Sequence, residues 1–142
     1  MKNKVTLKLT AIFVLSLTLS SHLTTPVMAE CSCTIYEHPY FQGQSAVITK
    51  GNHWRRFTQY VCPDGWGCWN DLVSSVKVSP GCALKVWEHI DEEGSSIIFD
   101  QDYDGLYFEG VQWGDRMSSA WCDTIESVVD ITNPLDGKVA RR

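Results

Sequence analysis

The chain repeats itself once, and that duplication restricts the folds open to it more than any other feature. Tyr36-Glu37-His38 recurs as Trp87-Glu88-His89, fifty-one residues later. Gly43 and Gly94 each stand seven residues after the aromatic, and Cys31 and Cys82 each stand five before it. Each glycine opens an apolar-rich stretch, Gln44-Ser45-Ala46-Val47-Ile48 or Ser95-Ser96-Ile97-Ile98-Phe99. Trp69-Asn70-Asp71-Leu72-Val73-Ser74-Ser75-Val76 is matched to Trp121-Cys122-Asp123-Thr124-Ile125-Glu126-Ser127-Val128, which gives motifs of near-equal length at about 31–79 and 82–131.

Helical periodicity of useful length is missing. Short strands are expected at 34–36, 46–48, 76–78, 83–87, 97–99 and 127–131, separated by Gly, Pro, Asn and Asp clusters. Closely spaced short strands, doubled once, indicate an all-β fold, a two-sheet antiparallel sandwich. Neither half alone buries enough apolar surface, so both repeats should share one core, joined at Ser79-Pro80-Gly81.

Lys2, Lys4 and Lys8 precede an apolar run from Leu9 to Leu19, and Val27-Met28-Ala29 supplies small residues where a signal peptidase cuts. Residues 1–29 therefore read as a cleaved secretory signal, and the destination as secreted or periplasmic, with no membrane attachment after cleavage. The remaining 30–142 form one domain ending in a polar tail, 132–142. All six cysteines (Cys31, Cys33, Cys62, Cys68, Cys82 and Cys122) lie in that exported part, so up to three disulfides are expected, with connectivity open. Zinc fits poorly, because the C-x2-C pairs of ribbons and fingers are missing. The full chain carries a net charge of −5, and losing the three leader lysines makes it −8. Such a surface has no electrostatic footprint for nucleic acid or an anionic membrane.

Tyr36-Glu37-His38-Pro39-Tyr40-Phe41-Gln42-Gly43 resembles the signature hairpin of a βγ-crystallin Greek key motif, and Val76 to Cys82 resembles the link between paired motifs. The resemblance is to the microbial secreted type and covers residues 33 to about 131. It implies a disulfide-stabilised sandwich of two Greek keys, expected to be monomeric. Microbial members commonly bind calcium through N/D-N/D-x-x-S/T-S, which Asn70-Asp71-Leu72-Val73-Ser74-Ser75 fits at every position. A hard dication takes carboxylate, hydroxyl and carbonyl oxygens. The resemblance further implies that each site draws on both motifs. Asp71 and Ser74 are then ligands with Asp123 as partner, and carbonyls near Glu37, Leu72, Glu88 and Thr124 complete the set. In the second stretch Cys122 and Glu126 replace pattern residues, so one good calcium site and one weakened site are expected.

Trp113-Gly114-Asp115-Arg116-Met117-Ser118-Ser119 offers a rival register. It shortens the second motif by eight residues and leaves a surplus strand, so Asp115 and Ser118 stand on a second list. Asp100 to Gly105 matches the first half of an EF-hand loop, but Val111 stands where a bidentate Glu belongs, and the run reads as a solvated loop. His38 and His89 are repeat-equivalent, which suits a packing role within each hairpin better than catalysis, and hydrolase and phosphate-loop motifs are missing; an enzyme is not expected. Most tryptophans should plug the sandwich. An alternative function uses the aromatic 52–69 loop, with Arg55, Arg56, Trp66 and the 62/68 cysteines, to recognise a protein such as a protease, because the resemblance extends to secreted inhibitors.

Overall fold

Alternation builds the first strand: Cys33 and Ile35 are buried while Ser32, Thr34 and Tyr36 are only partly covered. A computed structural model describes residues 30–60, 69–108, 110–129 and 138–140 of the chain. The leader 1–29, the 61–68 segment with Cys62, Trp66 and Cys68, and residues 130–137 lie outside the described residues. Among the described residues, ten strands and one short α-helix run in the order β1 (Ser32–His38), β2 (Gln42–Thr49), β3 (Asn52–Trp54), β4 (Ser75–Val78), β5 (Cys82–Trp87), β6 (Ser96–Phe99), β7 (Tyr107–Phe108), β8 (Val111–Gln112), β9 (Ser119–Thr124), α1 (Ile125–Val128) and β10 (Lys138–Val139).

Two sheets form the sandwich. The first has the order β2-β1-β4 and the second β10-β6-β5-β9-β3; β7 and β8 make a separate ribbon. The third strand of the first motif, β3, has crossed to the second sheet, where it pairs antiparallel with β9 (His53 opposite Trp121). In return, Tyr103 of the second motif bridges to Val76 on β4 through two 2.9 Å backbone bonds. Each motif thus completes the other's sheet, and neither can close alone. Between the sheets lies one core, with Ile35, Ile48, Phe57, Trp69, Val76, Leu84, Val86, Phe99, Tyr103 and Met117 all at most 1% exposed. Trp69 and Trp113 plug it as expected. Every residue of β5 is buried, because a smaller apolar cluster of Ala83, Ile98 and Val128 covers the outer face of the second sheet.

Two disulfides tie the motifs together. Cys31 pairs with its repeat-equivalent Cys82, and Cys33 on β1 pairs with Cys122 on β9, sheet to sheet. Their sequence separations of 51 and 89 residues close long loops, which removes much of the unfolded chain's freedom.

The C-terminal part departs from expectation. The segment expected as a strand at 127–131 begins instead as α1, whose Val128 faces the smaller cluster. Residues 138–140 are not a free polar tail: β10 pairs parallel with β6, and the buried Ala140 accepts a 2.7 Å hydrogen bond from the Tyr103 hydroxyl. Among the described residues no helix is long and apolar enough to cross a membrane.

Replacing the sheet-to-sheet bridge with Cys33→Ala/Cys122→Ala should lower unfolding free energy by about 3–5 kcal/mol, since its ends are 89 residues apart in sequence. Urea denaturation of the double variant against the parent measures this, and a loss under about 1 kcal/mol would show that the bridge constrains little.

Candidate metal site

Two hairpins position the site, and both fold back on themselves in the same way. Past β1, Tyr40 and Phe41 adopt positive φ (58° and 61°); past β5, Asp91 and Glu92 do likewise (57° and 65°). Gly43 and Gly94 follow at φ 78° and 81°. A Cβ on Gly43 would meet the His38 ring at 2.9 Å, and one on Gly94 the His89 ring at 2.8 Å. The two histidines therefore pack over backbone that only glycine leaves open. Glu37 and Glu88 are equally matched: Glu37 Oε2 accepts the Gln44 amide and Glu88 Oε2 the Ser95 amide, each at 3.2 Å.

Against these hairpins sit two corners, Trp69 to Ser75 and Trp113 to Ser119. The Ser74 amide donates to the Tyr36 carbonyl at 2.9 Å, and the Ser118 amide to the Trp87 carbonyl at 3.0 Å. One residue on, the buried Ser75 hydroxyl donates to the His38 carbonyl (2.6 Å) and accepts the Phe41 amide (3.0 Å). Ser119 repeats both bonds with His89 (2.7 Å) and Glu92 (3.2 Å). Strand register agrees, since Tyr36 faces Ser75 across β1 and β4, and Trp87 faces Ser119 across β5 and β9.

The second corner is therefore the 113–119 stretch, and the register that matched Trp121 to Trp69 is corrected. Asp123 lies on β9 opposite Ala83 and uses Oδ1 to accept the Thr124 amide at 2.6 Å. Thr124 precedes α1 and its hydroxyl bonds Ser127 (2.9 Å), while Glu126 is exposed in the first helical turn. None of the three belongs to a corner. Asp115 and Ser118, the rival pair, take the places expected for Asp123 and Glu126. The misreading came from assuming equal motif lengths. From glycine to corner tryptophan the first motif runs 26 residues and the second 19, a difference that a loop absorbs at small entropic cost. The identical Asp-x-x-Ser-Ser of 71–75 and 115–119 was the signal that could have decided it.

The corners interlock. The Asp71 amide donates to the Met117 carbonyl and the Asp115 amide to the Val73 carbonyl, both at 3.1 Å. Each aspartate is thereby held beside the carbonyl that precedes the other motif's serine. Asp71 and Asp115 both adopt positive φ, 53° and 58°, a conformation in which aspartate is among the better tolerated residues. The result is visible at the first corner: Ser74 Oγ donates to Asp115 Oδ1 at 3.4 Å and also reaches the Leu72 carbonyl at 3.5 Å. At the second, Asp71, Glu88, His89, Asp115, Arg116 and Ser118 line an open cleft of about 370 Å³. Asp71 also accepts the Asn70 side-chain amide at 2.6 Å. Both aspartates are exposed at the mouth, and Ser118 lies buried beneath.

Such a donor set is chemically hard. It offers one carboxylate, one hydroxyl and backbone carbonyls at each corner pair, which suits calcium and leaves positions for water. Among the described residues no group of three His, Cys, Asp or Glu side chains is placed to hold a metal ion by itself, so any ion at the corners would rely on hydroxyl and carbonyl oxygens as well. The EF-hand-like run is occupied structurally: Asp102 Oδ1 accepts the Val78 amide at 2.9 Å, and Asp100 Oδ1 the Tyr103 hydroxyl at 3.4 Å.

Arg55 and Arg56 sit on the segment after β3, and Trp66 lies outside the described residues. Arg56 donates to Asp91 through Nε (3.1 Å) and Nη2 (2.7 Å), which holds the Asp91 carboxyl below its ordinary range. Arg55 approaches Glu92 at 3.7 Å. Both arginines thus face the second hairpin. Nearby, His53 stacks on Trp121 at 4.8 Å and hydrogen-bonds Glu92 at 2.6 Å.

This arrangement of exchanged strands and folded hairpins defines a two-motif Greek key sandwich. It is the architecture of a βγ-crystallin domain. The chain is similar to a βγ-crystallin domain from Flavobacterium johnsoniae, with TM-score 0.55, 21% identity and coverage of 66% of this chain and 96% of that one. It is also similar to a structure described under the evolution of the eye lens βγ-crystallin domain fold, with TM-score 0.56, 26% identity and coverage of 69% and 90%. A third is a clostrillin double mutant in complex with nickel, with TM-score 0.53, 20% identity and coverage of 66% and 98%. No protein-family model and no curated protein sequence matches the chain.

Ser75→Ala and Ser119→Ala should each cost about 1–3 kcal/mol, because each removes a buried hydroxyl that satisfies a partly buried amide and a carbonyl of a hairpin. Ser127→Ala, at an exposed helix position, should stay within about 0.5 kcal/mol. Equilibrium denaturation of the three variants tests the corner register: equal small losses would contradict it.

Proposed function

We propose that this chain is a secreted, non-enzymatic βγ-crystallin-type domain that binds calcium at its paired corners and is stabilised by it. The observation that carries the reading is the Ser74 hydroxyl of one motif lying 3.4 Å from the Asp115 carboxylate of the other, with the Leu72 carbonyl alongside. Glu37, Leu72, Ser74 and Asp115 would hold one ion. Glu88, Arg116 (through its carbonyl), Ser118 and Asp71 occupy the equivalent places at the second corner. Bound calcium would supply a crosslink between motifs that the chain otherwise makes with backbone hydrogen bonds and two disulfides. With a single carboxylate per site, affinity should be modest, on the order of 10⁻⁵ to 10⁻³ M. Such values suit a compartment rich in calcium. The basic, apolar leader and the buried disulfides support export.

Calcium that binds only the folded state at a hundredfold excess over Kd adds about 2.7 kcal/mol, on the order of 10 °C in the melting temperature. A thermal melt with calcium and then with chelator should show that shift. Asp115→Ala or Ser74→Ala should remove most of it, while Asp123→Ala leaves it intact. A parent protein whose melting is indifferent to calcium would end the proposal.

A further inference from the structure

The two corners share a backbone but not a charge. Leu72 in the first corner is answered by Arg116 in the second, two residues before the serine in each case. Arg116 is not a loose surface side chain. Its guanidinium forms an ion pair with Glu88, Nη1 donates to the Gln112 carbonyl at 3.1 Å, and the group lies over the Trp113 ring at 5.5 Å. These three restraints fix the guanidinium beside Glu88 in the cleft that Asp71, Glu88, His89, Asp115 and Ser118 also line. The Glu88 carboxylate is committed twice, to Arg116 through Oε1 and to the Ser95 amide through Oε2. In the first motif, Lys77 instead projects its ammonium over the rings of Phe41 and Tyr36, at 4.7 and 5.9 Å.

We propose that Arg116 is a built-in cation that makes the two corner sites unequal: the Asp115–Ser74 corner takes calcium, and the Asp71–Ser118 corner is held empty at moderate calcium by the guanidinium in its cleft. The inference rests on the calcium reading and deepens it. A divalent ion entering the second corner meets a guanidinium that offsets the Glu88 charge, which would otherwise draw the ion in, and breaking the Glu88 pair is required to move that guanidinium away. Losing that attraction across a solvated cleft weakens binding by about tenfold or more. Arg116 is thus a selectivity residue that sets the number of ions, and it acts by charge without contributing a side-chain ligand.

Isothermal titration of the chelator-treated full-length mature protein with calcium chloride tests this. One ion per chain is expected for the parent, none at comparable affinity for Asp115→Ala, and two for Arg116→Leu. Arg116→Gln, which keeps a polar exposed side chain, should also give two, so a folding defect in one variant does not decide the matter. In Arg116→Leu/Asp115→Ala one ion should remain, now at the Asp71 corner. If the parent already takes two ions with similar affinity, or if neither Arg116 variant gains one, the inference is overturned while calcium binding stands. If no variant and no parent takes calcium, the calcium reading fails and carries this inference with it.

Discussion

The pair of backbone hydrogen bonds from Asp71 to Met117 and from Asp115 to Val73 is the constraint on which the rest depends. Each bond joins a residue of one corner to the carbonyl that precedes the serine of the other. The pair therefore fixes separation and register at once, as paired bonds do between strands. It also accounts for the positive φ at both aspartates, since turning the amide toward the opposite corner requires it. That strain, of order 1 kcal/mol per residue, is offset where the corners meet. Side-chain oxygens then fall together as a consequence of main-chain geometry. Calcium chemistry, where it occurs, would exploit a contact the fold already needs.

Strand exchange works in the same direction. Handing β3 to the second sheet and Tyr103 to the first means that unfolding one motif strips an edge from the other. A chain this short buries a limited core, and cooperative closure of both halves is what makes that core sufficient. The disulfides act at the opposite end of the problem. Cys31–Cys82 and Cys33–Cys122 constrain the unfolded chain, so they contribute even where the native contacts are modest. β10 adds a third device: its backbone pairs with the edge of β6, which would otherwise stand open to another chain.

The hairpins were legible in the sequence because their chemistry is local. A histidine must pack over a glycine five residues later, and that requirement stamps His38–Gly43 and His89–Gly94 on the chain twice. Of the strands that pair with them, β2, β4 and β6 were readable from their apolar residues, whereas β9, which pairs with β5, was not. The second corner was not, because spacing was given more weight than composition. Loop length between hairpin and corner carries little energy, whereas the Ser-Ser pair makes bonds to fixed carbonyls and amides, so Ser118-Ser119 outweighed eight residues of length. The strand expected at 127–131 failed for another reason. Ile125 and Val128 are three apart, a helical spacing, and in the structure they face the small cluster on the outer face of the second sheet. The tail at 132–142 was taken as polar by composition, but strand pairing by β10 is a main-chain interaction that composition does not reveal.

Duplication has left a symmetric frame with asymmetric fittings. What both corners share lies in the main chain, in the Asp-x-x-Ser-Ser of 71–75 and 115–119, and in the buried Trp69 and Trp113. The side chains that differ are Asn70 against Gly114, Leu72 against Arg116 and Val73 against Met117, and only the last pair takes part in the interlocking bonds, through main-chain carbonyls. Asn70 donates to Asp71 at 2.6 Å, whereas Gly114 is buried beneath the Gln112 side chain and offers no equivalent amide. These substitutions alter charge and hydrogen bonding at the mouth of each site without touching what holds the corners together. A frame fixed by backbone bonds can therefore tolerate divergence at such positions at little cost to stability. The same logic explains why the fold stays recognisable at identities near 20%.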